Sequence, residues 1–143
     1  AGEMSGHICF ADSYYGFDDA IYAACRILQI VASSKVKVSE MLLDVPKTAA
    51  TPEIRVDCPD DQKFEIVREL TESFSNKYDV IDIDGARVNF DKGWALIRAS
   101  NTQPVIVFRF EANNTERLDE IISLVRKAIS KYEPIVTLGQ ELC

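Results

Sequence analysis

Histidine is nearly absent from this chain: among 143 residues only His7 carries an imidazole. The four cysteines, Cys9, Cys25, Cys58 and Cys143, are scattered, and no C-x-x-C pair occurs. One imidazole and no paired thiols do not make a zinc site, so the cysteines read as free reduced thiols of a cytoplasmic protein. Long apolar runs are missing too. None approaches the roughly 20 residues that cross a bilayer, and the chain opens in a polar motif rather than a charged leader, so no membrane partner is expected. Basic residues are outnumbered, 16 Lys and Arg against 23 Asp and Glu, for a formal net charge of −7. A surface of that sign repels a polyanion, which argues against nucleic acid as a partner. A single small phosphate ester remains open, because one local basic loop binds it despite the global charge.

What is present suffices for a core. With 47% hydrophobic residues in 143, the chain can build one well-packed domain plus an appendage. Ile8 to Phe10 reads as a short strand. Phe17-Asp18-Asp19 opens a helix with a carboxylate as its cap, and Ile21, Ala24, Cys25, Leu28 and Val31 follow helical spacing, a face that needs a partner to cover it. Residues 34–52 have no sustained period and read as a connector between a first segment, 1–33, and a domain over 53–143.

That domain reads as α+β. Ile54, Val56 and Cys58 alternate as a strand, and Asp60 or Asp61 is placed to cap a helix with Phe64, Val67, Leu70 and Phe74 on one face. Val80 to Ile83 and Arg87 to Phe90 predict a hairpin around Asp84-Gly85, and a turn at Asp91-Lys92-Gly93 leads into a strand from Trp94 to Ala99. Val105 to Phe110 follows as its partner. Asn113 and Glu116 read as a capping pair for a last helix whose Leu118, Ile121, Ile122, Val125 and Ile129 form an apolar stripe. Helices on one face of an antiparallel sheet is the packing this order implies. The strands are not rich in Lys or Arg, a second argument against nucleic acid.

Chemistry concentrates in Arg98-Ala99-Ser100-Asn101-Thr102-Gln103-Pro104, a short loop between two apolar strands. Arg98 offers a planar fork of donors to phosphate oxygens, and Ser100, Asn101, Thr102 and the loop N–H groups fill the remaining acceptor positions. Pro104 biases Gln103 away from helix, so the loop leaves extended. By itself this composition also describes a solvated turn.

A second motif, Gly2-Glu3-Met4-Ser5-Gly6-His7, lies roughly ninety residues upstream, and two motifs in fixed order are harder to obtain by chance than one. Together they resemble the α-D-phosphohexomutase family, in its phosphomannomutase/phosphoglucomutase branch; Met4 and Asn101 look like that branch, where phosphoglucosamine mutases typically carry Gln and Gly. The resemblance covers nearly the whole chain. It implies that residues 1–33 end an α/β third domain, a strand-helix remnant with a sugar-reading loop, and that 53–143 form the fourth domain, with a fold like that of the TATA-box-binding protein. It further implies that Glu3 and Ser5 bind sugar hydroxyls, that Arg98, Ser100, Asn101 and Thr102 hold the non-reacting phosphate, and that His7 lies near the transferring phosphate as an auxiliary.

The implied reaction moves phosphate reversibly between C1 and C6 of glucose or mannose, through a phosphoserine and a hexose 1,6-bisphosphate. The phosphoserine and a magnesium loop are not found in this chain, so Mg2+ is expected outside it and the chain alone is expected to be inactive. The remaining domains of the enzyme and a hexose phosphate are the implied partners; a stand-alone phosphosugar-binding or interaction domain is the alternative. Within the residues themselves, Asp82 and Asp84 read as turn formers rather than metal ligands, since no further acids follow at calcium-loop spacing. His7 has no obvious nucleophile or orienting carboxylate within this chain.

Overall fold

In the computed structural model, which describes residues 1–3 and 6–132, the backbone divides between Val45 and Pro46. The first unit is organised around α1 (Ala20–Ser33). Its cap is Asp19, whose carboxylate accepts from the N–H groups of Ile21 and Tyr22, both at 2.9 Å, as the first orphan donors of a helix require. The other carboxylate oxygen accepts from the Tyr14 hydroxyl at 2.6 Å. Tyr14 stacks on Tyr22 at 3.9 Å between ring centroids, and Arg26 lies over the Phe10 ring while pairing with Asp12. These contacts lay the loop before α1 along the helix.

The expected strand at Ile8–Phe10 is reduced to isolated bridges, Gly2 with Ile8 and Cys9 with Asp18. The chain turns at Gly6 and Gly16, with φ of 90° and 81°, before either pairing can extend. Along α1, Ile21, Ala24, Cys25 and Leu28 are exposed and Val31 half-buried, leaving Ala23 as the buried residue of the helix. The predicted apolar face is therefore present and uncovered within this unit.

The second unit is an antiparallel sheet with helices α2 (Asp60–Ser75) and α3 (Thr115–Ile129) on one face. Its strands are β1 (Ala49–Ala50), β2 (Ile54–Asp57), β3 (Asp79–Ile81), β4 (Ala86–Phe90), β5 (Gly93–Ala99) and β6 (Val105–Ala112), in the order β1-β6-β5-β4-β3 with β2 also on β6. β1 falls inside the stretch read from sequence as connector, as does a single 3-10 turn at Val38–Glu40. β1 and β2 share one edge of β6. Ala50 pairs with Glu111 and Ile54 with Phe108, so Thr51, Pro52 and Glu53 face the two residues between, a bulge of one residue. Pro52 has no N–H for a ladder, which suits it to the bulge. Thr51 holds the register there: its N–H donates to the Phe110 carbonyl and its hydroxyl oxygen accepts from the Phe110 N–H, at 3.0 and 3.1 Å.

Alternation sorts the strands into two faces. Val56, Val88, Ile97, Phe108 and Phe110 are all at 2% exposure or less and meet the helices in a single core. α3 contributes the predicted stripe, Leu118, Ile121, Ile122, Val125 and Ile129. α2 differs from expectation: it buries Lys63, Ile66, Val67, Leu70 and Phe74, and Phe64 is 54% exposed. Pro59, rather than Asp60 or Asp61, is the N-cap, and the buried face runs through Lys63, Ile66, Val67, Leu70 and Phe74, which leaves Phe64, about 100° on from Lys63, outside it. Each buried Leu, Ile or Phe here is worth about 1.5–3 kcal/mol against leaving it in water.

Two turn assignments also change. The β3–β4 strand pairing ends at Ile81 with Arg87, so Ile83 lies in the loop at 91% exposure, and Asp84 does not take the positive φ of a two-residue Asp-Gly turn. Gly85 does, at φ 83°, and a Cβ there would also sit 2.4 Å from the Ile97 carbonyl oxygen, so the position needs glycine on both counts. At the second turn the left-handed residue is Lys92, φ 59°. Gly93 is instead required by close packing, its hypothetical Cβ falling 2.5 Å from Ile121 Cδ1. Asn114, not Asn113, caps α3, accepting from Arg117 N–H at 2.8 Å; Asn113 is still held to the hairpin by its N–H to the Lys92 carbonyl.

Candidate functional site

The loop after β5 closes a hairpin whose last pair is Ala99 with Ile106. Backbone bonds define its shape: Ser100 N–H donates to the Val105 carbonyl at 3.0 Å, Val105 N–H to the Gln103 carbonyl at 2.8 Å, and Cys58 N–H to the Pro104 carbonyl at 2.8 Å. The Ser100 hydroxyl oxygen accepts from the N–H groups of Thr102 and Gln103, at 3.3 and 3.2 Å. An oxygen that accepts twice from its own loop is fixed in place and still has its proton to donate. Asn101 and Thr102 are exposed at the tip.

Arg98 precedes the loop. Its Nη1 pairs with Asp84 at 3.1 Å, and its Nε is buried without a hydrogen-bond partner. Asp84 reaches it because Gly85 packs directly against the backbone of Ile97 and Arg98. Arg98, Ser100, Asn101 and Thr102 are thus gathered at one end of one hairpin, with the guanidinium fork only partly used.

The open face of the sheet gathers four arginines that lie far apart in the sequence. Arg98 pairs through Val107 with Arg55, and Arg87 through Leu96 with Arg109. Cross-strand partners share a face, so alternation brings these arginines together on the side away from the helices. Arg87 lies over the Trp94 ring at 4.8 Å, and Arg55 donates to Glu53 and to the Gln103 side chain. Arg109 is diagonal to Arg98, and its Nε and Nη1 are buried without partners. Reading from sequence missed Arg109; counting two residues on from Val107 would have found it.

In the first unit Glu3 is exposed; its N–H donates to the His7 carbonyl at 2.8 Å and its carbonyl accepts from the Gly6 N–H. Ser5, the other expected sugar ligand, lies outside the described residues, as does Met4. His7 is not without an orienting carboxylate. Asp18 Oδ2 stands 2.5 Å from His7 Nδ1, brought there by the Cys9–Asp18 bridge. The hydrogen bond and then the charge of Asp18 hold His7 above the ordinary imidazole value. An ionised carboxylate only accepts, so Nδ1 carries the proton and Nε2 is the free face of the ring.

Among the described residues no group of three or more His, Cys, Asp or Glu is arranged to hold a metal ion. No described helix is long and apolar enough to cross a membrane. Cys9, Cys25 and Cys58 are free thiols, and burial raises the Cys58 thiol above its ordinary value.

Residues 53–128 match the phosphoglucomutase/phosphomannomutase C-terminal domain. The chain belongs to the phosphoglucomutase/phosphomannomutase family. Residues 1–49 match the alpha/beta/alpha domain III of the same family. The chain is 40% identical over 139 residues to a phosphomannomutase/phosphoglucomutase of Pseudomonas putida, covering 96% of this chain and 30% of that protein. A phosphoglucomutase of Neisseria gonorrhoeae is 40% identical, with 95% of this chain and 30% of that protein covered. A probable phosphoglucosamine mutase of Methanopyrus kandleri is 33% identical over 135 residues, covering 91% and 29%. The crystal structure of a phosphoglucomutase/phosphomannomutase family protein from Burkholderia thailandensis superposes with a TM-score of 0.75 at 36% identity, covering 93% of this chain and 28% of that one. The chain therefore spans about 30% of the length of the curated relatives it matches, in their C-terminal part.

Proposed function

We propose that this chain is the C-terminal substrate-binding portion of a phosphomannomutase/phosphoglucomutase, gripping the non-reacting phosphate while the other end of glucose or mannose phosphate reacts. The observation that carries the reading is the hairpin end where the Arg98 side chain, 43% exposed, keeps part of its guanidinium fork open beside Asp84 and Ser100 keeps its hydroxyl proton. A phosphate dianion offers acceptors to both, and to Asn101 and Thr102 at the exposed tip. Arg109, diagonal to Arg98 on the same face, adds a second positive charge beside it. These groups supply positioning and charge neutralisation rather than bond making.

The N-terminal motif complements this grip. Glu3 and Ser5 would accept from and donate to sugar hydroxyls, and His7, held at Nδ1 by Asp18, would take up or release a proton at Nε2 as an auxiliary to transfer. Interconversion of the 1-phosphate and 6-phosphate through a hexose 1,6-bisphosphate needs the phosphoserine and the magnesium, both assigned to the remaining domains of the enzyme. On this proposal the chain by itself is inactive and works in the cytoplasm; turnover by this chain in a mutase assay would overturn the first point.

Three neutral hydrogen bonds at about 1 kcal/mol each and one charge-assisted contact at about 2 must offset the entropy of holding the ligand, so affinity of millimolar or weaker is expected. An amide-shift titration with glucose 1,6-bisphosphate, and glucose as control, tests the grip. Shifts at residues 98–102 that glucose does not produce support it; the same shifts in Arg98→Ala, or none in the native chain up to tens of millimolar, count against it.

A further inference from the structure

Among the described residues, Lys63 is the one charged side chain in the core, at 3% exposure. It occupies the first turn of α2, on the face packed against the sheet. Its ammonium donates to Asp60 Oδ1 at 2.5 Å and, across 40 residues of sequence, to the Gln103 carbonyl at 2.8 Å. Burying an ammonium costs several kcal/mol before its partners return anything, and an apolar side chain of similar volume commonly serves stability as well or better. The position thus carries a charge that packing does not need. Its second partner is the carbonyl that follows Thr102, in the loop assigned to phosphate.

We infer that Lys63 is the positioning residue of the phosphate loop, tying its Gln103 carbonyl to the start of α2 so that Ser100, Asn101 and Thr102 are presented in one arrangement. The inference rests on the phosphate-site reading above. The Gln103 carbonyl accepts from both Lys63 Nζ and the Val105 N–H, while the Gln103 N–H is spent on the Ser100 hydroxyl. A displaced Gln103 therefore displaces the hydroxyl that is to meet the phosphate. Arg55 holds the same residue from the other side, donating to the Gln103 side chain at 2.9 Å. Cys58 N–H, in the turn between β2 and α2, holds the Pro104 carbonyl. The β2–α2 segment is thus a clamp on the exit of the loop, with Lys63 as its buried charge.

The test compares the full 143-residue chain with Lys63→Met and Val67→Ala, the latter weakening the same helix without touching the loop. Amide exchange is read at Ser100, Thr102, Gln103 and Val105, and glucose 1,6-bisphosphate is titrated into each. Lys63→Met is expected to keep or raise the midpoint of thermal unfolding, to speed exchange at those amides by about tenfold or more relative to β4, and to weaken the ligand several-fold. Val67→Ala is expected to lower the unfolding midpoint with loop exchange tracking the rest of the sheet. Lys63→Arg, which retains a donor, should restore part of the protection, and Lys63→Gln replaces the Met variant if that one does not fold. Unchanged loop exchange in Lys63→Met, faster exchange with undiminished affinity, or equal loop loosening in Val67→Ala overturns the inference. Absence of ligand shifts in the native chain refutes the phosphate reading instead, and the exchange comparison alone then decides whether Lys63 orders the loop.

Discussion

Asp84 and Arg98 form an ion pair at 3.1 Å between the β3–β4 loop and the end of β5. If the proposed phosphate grip holds, the Asp84 carboxylate and the phosphate compete for one guanidinium. Both side chains are about half exposed, which limits the pair to about 0.2–1 kcal/mol. Asp84→Asn should therefore tighten glucose 1,6-bisphosphate by about 1.4- to 5-fold, and Arg98→Ala should abolish the amide shifts it produces. Weaker binding in Asp84→Asn would show that Asp84 orients Arg98 more than it competes.

Gly85 and Gly93 are irreplaceable for different reasons. At Gly85 a Cβ meets the Ile97 carbonyl oxygen at 2.4 Å and the φ is 83°, so both sterics and backbone oppose alanine. Gly93 has ordinary φ, but its Cβ would meet Ile121 Cδ1 and the Glu111 carbonyl. Chemical denaturation should find Gly85→Ala destabilised by about 2–4 kcal/mol and Gly93→Ala by about 1–3. Only Gly85→Ala should also disturb ligand shifts at Arg98.

His7 should titrate above the ordinary imidazole value, because Asp18 favours its charged form. A raised folded-state value means the pair adds stability below the unfolded imidazole pKa, about 6.5. That contribution is lost as pH rises through the higher folded value. A proton NMR titration of the single imidazole reads the midpoint directly. Asp18→Asn should bring it down; an unchanged midpoint would remove Asp18 as the partner.

The N-cap of α3 distinguishes two adjacent asparagines. Asn114→Ala should cost about 1 kcal/mol, since its side chain accepts from Arg117 N–H. Asn113→Ala should cost less in urea denaturation, because Asn113 is tied through its backbone N–H, which alanine retains.

Sequence by itself determined whatever depends on neighbours along the chain. Period-2 alternation placed β2, β5 and β6, helical period placed the stripe of α3, and the polar run Arg98 to Pro104 marked the hairpin end. The two motifs were enough to name the family to which residues 1–49 and 53–128 are matched. Tertiary structure decided which groups meet across the fold. Neither Asp84 with Arg98, Asp18 with His7, nor Lys63 with Gln103 follows a local spacing. It also set the caps, because Asn113 is held by the β4–β5 turn, and the outward rotation of Phe64, because the core took Lys63 and Ile66 instead. The physical reason is range: periodicity and capping act over a few residues, whereas a carboxylate or ammonium finds its partner only after the strands have fixed their register.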